Sequence, residues 1–168
     1  RAIASIPALP DSLTYLACSI NYLTTLPALG VKLTYLNCSN HILTSLPVLA
    51  DSLTYLDCSY NNLTSLPALP DTLLVELHCS YNQLSSLPNL PFNLHYMYCD
   101  NNQLTLLPNL PSALSSLDCN YNNLTSLPFL PVSLSSLFCN GNSLSSLPSL
   151  PPGLNNLDCS ANQLTTLP

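Results

Sequence analysis

The chain has 168 residues, of which 47% are hydrophobic and only 6% charged, and its formal net charge is −6. Arg1 and Lys32 are its only fixed cations, so it has no basic face to neutralise phosphates, and nucleic acid is excluded as a partner. No apolar run approaches the ~18 residues of a membrane span and no charged-then-apolar segment opens the chain, so neither membrane insertion nor a signal peptide is read from it.

In chain order, Arg1 to Pro7 (RAIASIP) fits the second half of a repeating unit, with Ile3 and Ile6 in two leucine slots. Leu13 opens the first full unit, LTYLACSINYLTTLPALG, followed by LTYLNCSNHILTSLPVLA from Leu33 and LTYLDCSYNNLTSLPALP from Leu53. One template, L-x-x-L-x-C-x-x-N-x-L-x-x-L-P-x-L-P plus two linking residues, covers them all. Such a period is the signature of a solenoid whose units contact only their neighbours. Cys18, Cys38, Cys58, Cys79, Cys99, Cys119, Cys139 and Cys159 mark eight units, twenty residues apart except for one step of twenty-one.

Within a unit, Leu53, Leu56 and Cys58 are expected to point inward while Tyr55, Asp57 and Ser59 point outward, an alternation that suits a strand of three to five residues. The return, LTSLPALPDS, has no helical spacing, and its two prolines remove backbone donors and favour polyproline-like geometry. Leu63, Leu66 and Leu69 should face the core from this extended arc, giving a solenoid without helices. Gly30 and Ala50 replace the second proline in two early units and should loosen the arc there. The fourth unit, DTLLVELHC, carries the extra residue, which a bulge near Leu74 and Val75 would absorb. The last unit stops at Pro168, equivalent to Pro7. Neither terminus looks like a polar cap, so residues 1–168 are expected to be one array within a longer protein, or one whose ends stack on something.

L-x-x-L-x-C-x-x-N-x-L-x-x-L-P is the leucine-rich repeat signature, and twenty residues with L-P-x-L-P resemble the short bacterial repeats of effectors of the IpaH and YopM type. Those effectors usually carry Val or Ala where this chain has Cys, and their exposed faces are more charged; similar cysteine-bearing, charge-poor repeats occur in proteins from large DNA viruses and free-living bacteria. The resemblance implies a mainly β repeat solenoid, a parallel leucine-rich-repeat horseshoe with an extended convex arc and no long helices. The family's asparagine ladder falls on Asn21, Asn61, Asn82, Asn102, Asn122, Asn142 and Asn162, where a buried amide satisfies backbone groups as each strand turns outward. His41 takes the slot in the second unit, either as a simple substitute or as a pH-sensitive weak point.

Eight cysteines in a secreted chain would suggest four disulfides. All eight share one inward slot, however, where neighbouring thiols lie roughly 5 Å apart, side by side, without the crossed geometry of a disulfide. Free buried thiols are therefore expected, which favours a reducing compartment during folding. With no C-x-x-C motif and histidines outside the core column, no metal or other cofactor is implied.

Two outward columns carry the functional signal. One reads Tyr15, Tyr35, Tyr55, Glu76, Tyr96, Ser116, Ser136, Asn156, and the other Ala17, Asn37, Asp57, His78, Tyr98, Asp118, Phe138, Asp158. Together with Tyr60 and Tyr81, the tyrosines suggest an aromatic, hydroxylated patch on the concave face, a composition favoured at protein-binding hot spots; stacked tyrosines also stabilise neighbouring strands. The expected partner-binding residues are Tyr15, Tyr35, Tyr55, Tyr60, Glu76, His78, Tyr81, Tyr96 and Tyr98. Asp57, Glu76, His78, Tyr98 and Asp100 put a histidine beside carboxylates, yet no nucleophile or oxyanion donor is implied, and three glycines cannot form a phosphate cradle. The expectation is a non-catalytic binding or scaffolding module for a protein partner. Two alternatives stand beside it: a structural repeat that self-associates through open ends in a fibre, capsid or surface layer, and the recognition arm of a larger effector enzyme.

Overall fold

In the computed structural model, which describes residues 3–168, each L-x-x-L-x-C segment forms a three-residue strand. Arg1 lies outside the described residues. The strands are β1 (Tyr15–Ala17), β2 (Tyr35–Asn37), β3 (Tyr55–Asp57), β4 (Glu76–His78), β5 (Tyr96–Tyr98), β6 (Ser116–Asp118), β7 (Ser136–Phe138) and β8 (Asn156–Asp158). They pair in sequence order into one parallel sheet, and no helix occurs among the described residues. Pairing continues past the strand ends, as in Cys38 N–H to Asp57 O at 2.8 Å and Asn40 N–H to Ser59 O at 3.0 Å.

Leucine supplies the core because each unit buries the same positions against its neighbours. Leu53, Leu56, Cys58 and Leu63 are fully buried, as are their counterparts Leu114, Leu117, Cys119 and Leu124. On the return, Leu69 is buried and Leu66 half-buried, packed on the same core. The two edges are held differently. After the strand, further bonds join successive units as far as Asn62 N–H to Leu43 O at 2.9 Å. Beyond it, residues 64–69 donate no backbone hydrogen bond to another unit, so leucine packing and the fixed φ of proline hold the arc.

The cysteines are free, seven buried and Cys159 partly exposed. Burial pushes the Cys139 thiol up to about 12 and holds Cys38, Cys58, Cys79, Cys99 and Cys119 well above the usual range. These are small hydrophobes without reactive thiolate character.

Two local expectations are corrected. Ser59 does not face solvent: it is 8% exposed, and its N–H and hydroxyl both donate to Asp57 Oδ1. The strand ends at Asp57, and Ser59 lies covered against that carboxylate, just before the left-handed residue Tyr60 (φ 54°). The extra residue of the fourth unit widens the preceding turn to 71–73, leaving Leu73 47% exposed, rather than bulging the strand at Leu74 and Val75. Leu74 stays fully buried, and the register Tyr55↔Glu76, Leu56↔Leu77, Asp57↔His78 is unbroken. Gly30 packs closely, since a Cβ there would lie 3.3 Å from Asp11 Cα.

A column of left-handed residues follows the cysteines: Ile20, Asn40, Tyr60, Tyr81, Asn101, Tyr121 and Ala161 have φ of 49–59°, and Gly141 has 65°. Only glycine, and to a lesser degree asparagine, adopts this region without penalty. The turn it creates aims the ladder asparagine inward. Asn61 Nδ2 donates to Cys38 O, Cys58 O and Ser59 O at 3.0–3.2 Å, and its Oδ1 accepts Leu43 N–H at 3.0 Å. Asn102, Asn122 and Asn142 repeat the set. His41 reproduces only the acceptor: its Nδ1 takes Leu23 N–H at 3.5 Å, while Nε2 is buried without a partner.

Candidate functional site

The outward side chains of β1 to β5 meet across parallel strands, where in-register neighbours lie roughly 5 Å apart, within reach of ring stacking. Tyr15 stacks on Tyr35 at 4.3 Å and 10°, and Tyr35 on Tyr55 at 4.4 Å and 4°. In-register continuation would place Glu76 next, which cannot stack. The Tyr55 ring instead meets His78, two residues further along β4, at 5.4 Å and 41°, and His78 stacks on Tyr98 at 4.5 Å and 19°. One row of five rings thus crosses from one sequence column to the other at the fourth unit.

Glu76 closes the step: its Oε1 accepts the His78 Nε2 hydrogen at 2.7 Å, the one histidine–carboxylate contact among the described residues. His78 has a tyrosine on either side and its Nε2 bound to the glutamate, which makes it a stacking spacer. The Tyr15 and Tyr55 phenols stay neutral at ordinary pH. Burial, then the Tyr35 hydroxyl, pushes Tyr15 up, and burial, then Asp57, raises Tyr55 well above 10.

The remaining expected residues fall outside that row. Tyr60 and Tyr81, in the left-handed turns past the strands, form a second stack at 4.2 Å and 9°. Tyr96 faces solvent at 43% exposure, its ring tilted 36° to that of His95 at 6.3 Å. The nine residues therefore divide into a six-residue band (Tyr15, Tyr35, Tyr55, Glu76, His78, Tyr98), a separate pair and a lone tyrosine.

Carboxylates outside the expected set share the strand face. Asp118 is half-buried, with its Oδ1 accepting Asn120 N–H at 3.1 Å. Burial, assisted by Asp100 and Asp158 and opposed by that N–H, raises its carboxyl to about 6. Asp158 accepts the hydroxyl and N–H of Ser160, which hold its carboxyl below the usual range. The sequence showed Asp57, Asp118 and Asp158 in one column; what it did not show was that burial would raise the Asp118 carboxyl while hydrogen bonds from Ser160 lower that of Asp158. Tyr121 was also missed, and its ring lies over Gly141, where a Cβ would come 2.7 Å from Cδ1. Among the described residues, no three His, Cys, Asp or Glu side chains gather into a metal-sized group.

A family profile described as Leucine Rich Repeat matches residues 52–73, one unit of the eight. Solved structures extend the match over the whole array. YopM from Yersinia enterocolitica covers 99% of this chain at 37% identity with a TM-score of 0.81, and the Shigella effector LRR domain covers 82% at 37% identity and 0.76. The repeat signature and the fold are those of leucine-rich repeat proteins. A third leucine-rich repeat structure, the YopM effector protein of Yersinia pestis, covers 99% at 30% identity and a TM-score of 0.68. This leucine-rich repeat array spans 42%, 63% and 60% of those three chains respectively. No curated protein matches it by sequence. No helix among the described residues is long and apolar enough to cross a membrane.

Proposed function

We propose that this leucine-rich repeat array is a non-catalytic protein-binding module that holds its partner on the strand face, centred on Tyr35, Tyr55, His78 and Tyr98. The stacked row carries the reading. Rings fixed against one another at 4.3–5.4 Å have lost their rotamer freedom before any partner arrives, so little ordering cost remains for binding. The row presents ring edges and hydroxyls, and aromatic anchors of this kind dominate the energetics of protein interfaces.

The test compares the chain with a Tyr35→Ala/Tyr55→Ala variant and a return-arc Thr64→Ala/Ser65→Ala variant. Proteins captured on the first are identified, purified and titrated against all three. A partner that loses ~2 kcal/mol, about 30-fold, only with the tyrosine variant supports the strand face. Equal affinity for the parent chain and both variants refutes it.

Two of the similar structures are effectors by name, which favours a second reading: the array is the recognition part of a larger effector. An immunoblot of source cells separates the two. Species much larger than 18.1 kDa support the effector, and an 18.1 kDa protein refutes it.

A further inference from the structure

We infer that the occupant of the strand face is an extended protein segment bearing several Lys or Arg side chains, laid across the strands against the aromatic row and the carboxylates beside it. This rests on the strand-face binding proposed above and adds the chemistry of the partner.

The argument is one of charge complementarity along a preformed sheet face. Of the chain's eight acidic residues, Asp57, Glu76, Asp118 and Asp158 stand on β3, β4, β6 and β8, and Asp100 lies two residues past the end of β5. Lys32, the only Lys or Arg among the described residues, is exposed in the turn before β2. Among the described residues, the one basic side chain in contact with any of these five carboxylates is that of His78, bound to Glu76. Their spread excludes a small cation. They are distributed over six units, roughly 25 Å at the spacing of adjacent strands, and no three acidic or histidine groups converge.

An extended segment of about eight residues spans that distance at ~3.3 Å per residue. Its cations would meet carboxylate and hydroxyl oxygens, because stacking covers the inner ring faces and leaves edges outward. Asp118 is where such a segment gains most: a half-buried carboxylate with acidic neighbours and no cation is relieved by one supplied from outside. Anionic partners, nucleic acid and acidic membrane surfaces included, are repelled by the same face.

The experiment titrates the chain with fluorescein-labelled octa-arginine, octa-glutamate and an octamer of alternating Gly and Ser, at 50 and 200 mM salt. Two triple variants of equal charge change are compared: Asp57→Asn/Asp118→Asn/Asp158→Asn on the face, and Asp11→Asn/Asp51→Asn/Asp71→Asn in the turns. Asparagine keeps the acceptor for Ser59, Asn120 and Ser160, so the face variant is expected to fold, and circular dichroism and urea unfolding verify this. The expected result is binding of octa-arginine alone, weakened at least tenfold at the higher salt and at least tenfold in the face variant, with the turn variant changed less than twofold.

Equal losses in the two triple variants would mean diffuse attraction to an acidic protein and overturn the inference, as would equal binding of the neutral or acidic octamer. If octa-arginine fails while a captured protein still depends on Tyr35 and Tyr55, the binding face stands and only the cationic partner falls. If neither octa-arginine nor any captured protein responds to those substitutions, both fall.

Discussion

Replacing His41 with asparagine tests whether the amide ladder selects its residue by hydrogen bonding. A regular rung such as Asn61 makes four bonds of 3.0–3.2 Å, whereas His41 accepts one at 3.5 Å and buries Nε2 unpaired. The turn is already correct, since Asn40 has the left-handed φ of 59° found in the other units. Restoring the amide adds two donor hydrogens shared among Cys18, Cys38 and Ser39 carbonyls, about 2 kcal/mol at ~1 per bond, and removes an unsatisfied donor costing about 1–3. Against this, the smaller side chain leaves space for two ring atoms, a cavity cost of about 1–2 kcal/mol. The net expectation for His41→Asn is a gain of about 2 kcal/mol, and for the reverse exchange, Asn102→His, a loss of similar size. Urea unfolding followed by circular dichroism reads this as a midpoint shift of roughly 0.7–1 M at a slope of about 2–3 kcal/mol/M. An unchanged or lowered midpoint in His41→Asn would refute the ladder argument, because shape rather than bonding would then decide the slot.

Three other features are equally open to measurement. Asp118 titrates at about 6 in the folded chain against the usual 3.8, so the folded state holds its proton more tightly and stability falls as pH rises from about 4 to about 6. The full interval corresponds to about 3 kcal/mol, which partial exposure reduces to about 1; unfolding across that range should show the slope in the wild type and a flatter one in Asp118→Asn. In the left-handed column, Ile20→Asn should gain about 1 kcal/mol, whereas Gly141→Ala should lose about 1–2 because φ is 65° and the added Cβ meets the Tyr121 ring. A thiol reagent such as a disulfide dye should titrate about one cysteine in the native chain, Cys159, and all eight in denaturant; rapid labelling of several native thiols would contradict the buried column.

The fold was legible because one physical demand, burial of leucine and cysteine against identical neighbours, recurs in every unit, and a twenty-residue period leaves little freedom in how Leu53, Leu56, Cys58 and Leu63 are used. The site was less legible because ring stacking is not a property of a column. Tyr55 and Glu76 are in register, yet the ring interaction runs diagonally to His78, and only side-chain conformation decides that. Ser59 misled for a related reason: it shares a face with Asp57, yet its hydroxyl turns onto the Asp57 carboxylate and is covered there, which alternation alone does not reveal. The extra residue at Leu73 was visible, but its place in the turn followed from the intact register of β4, a long-range constraint absent from the local sequence.

The unequal bonding of the two edges makes the array mechanically anisotropic. Separating units on the strand side breaks a ladder of backbone hydrogen bonds at every step, whereas spreading residues 64–69 and their counterparts breaks none and disturbs only leucine contacts. Flexing that fans the return arcs is therefore the soft mode and stretching the sheet the stiff one, as in a bound book that opens along its fore-edge while its spine keeps its length. A docked ligand on the spine would feel a surface whose curvature adjusts while the spacing of its rows does not.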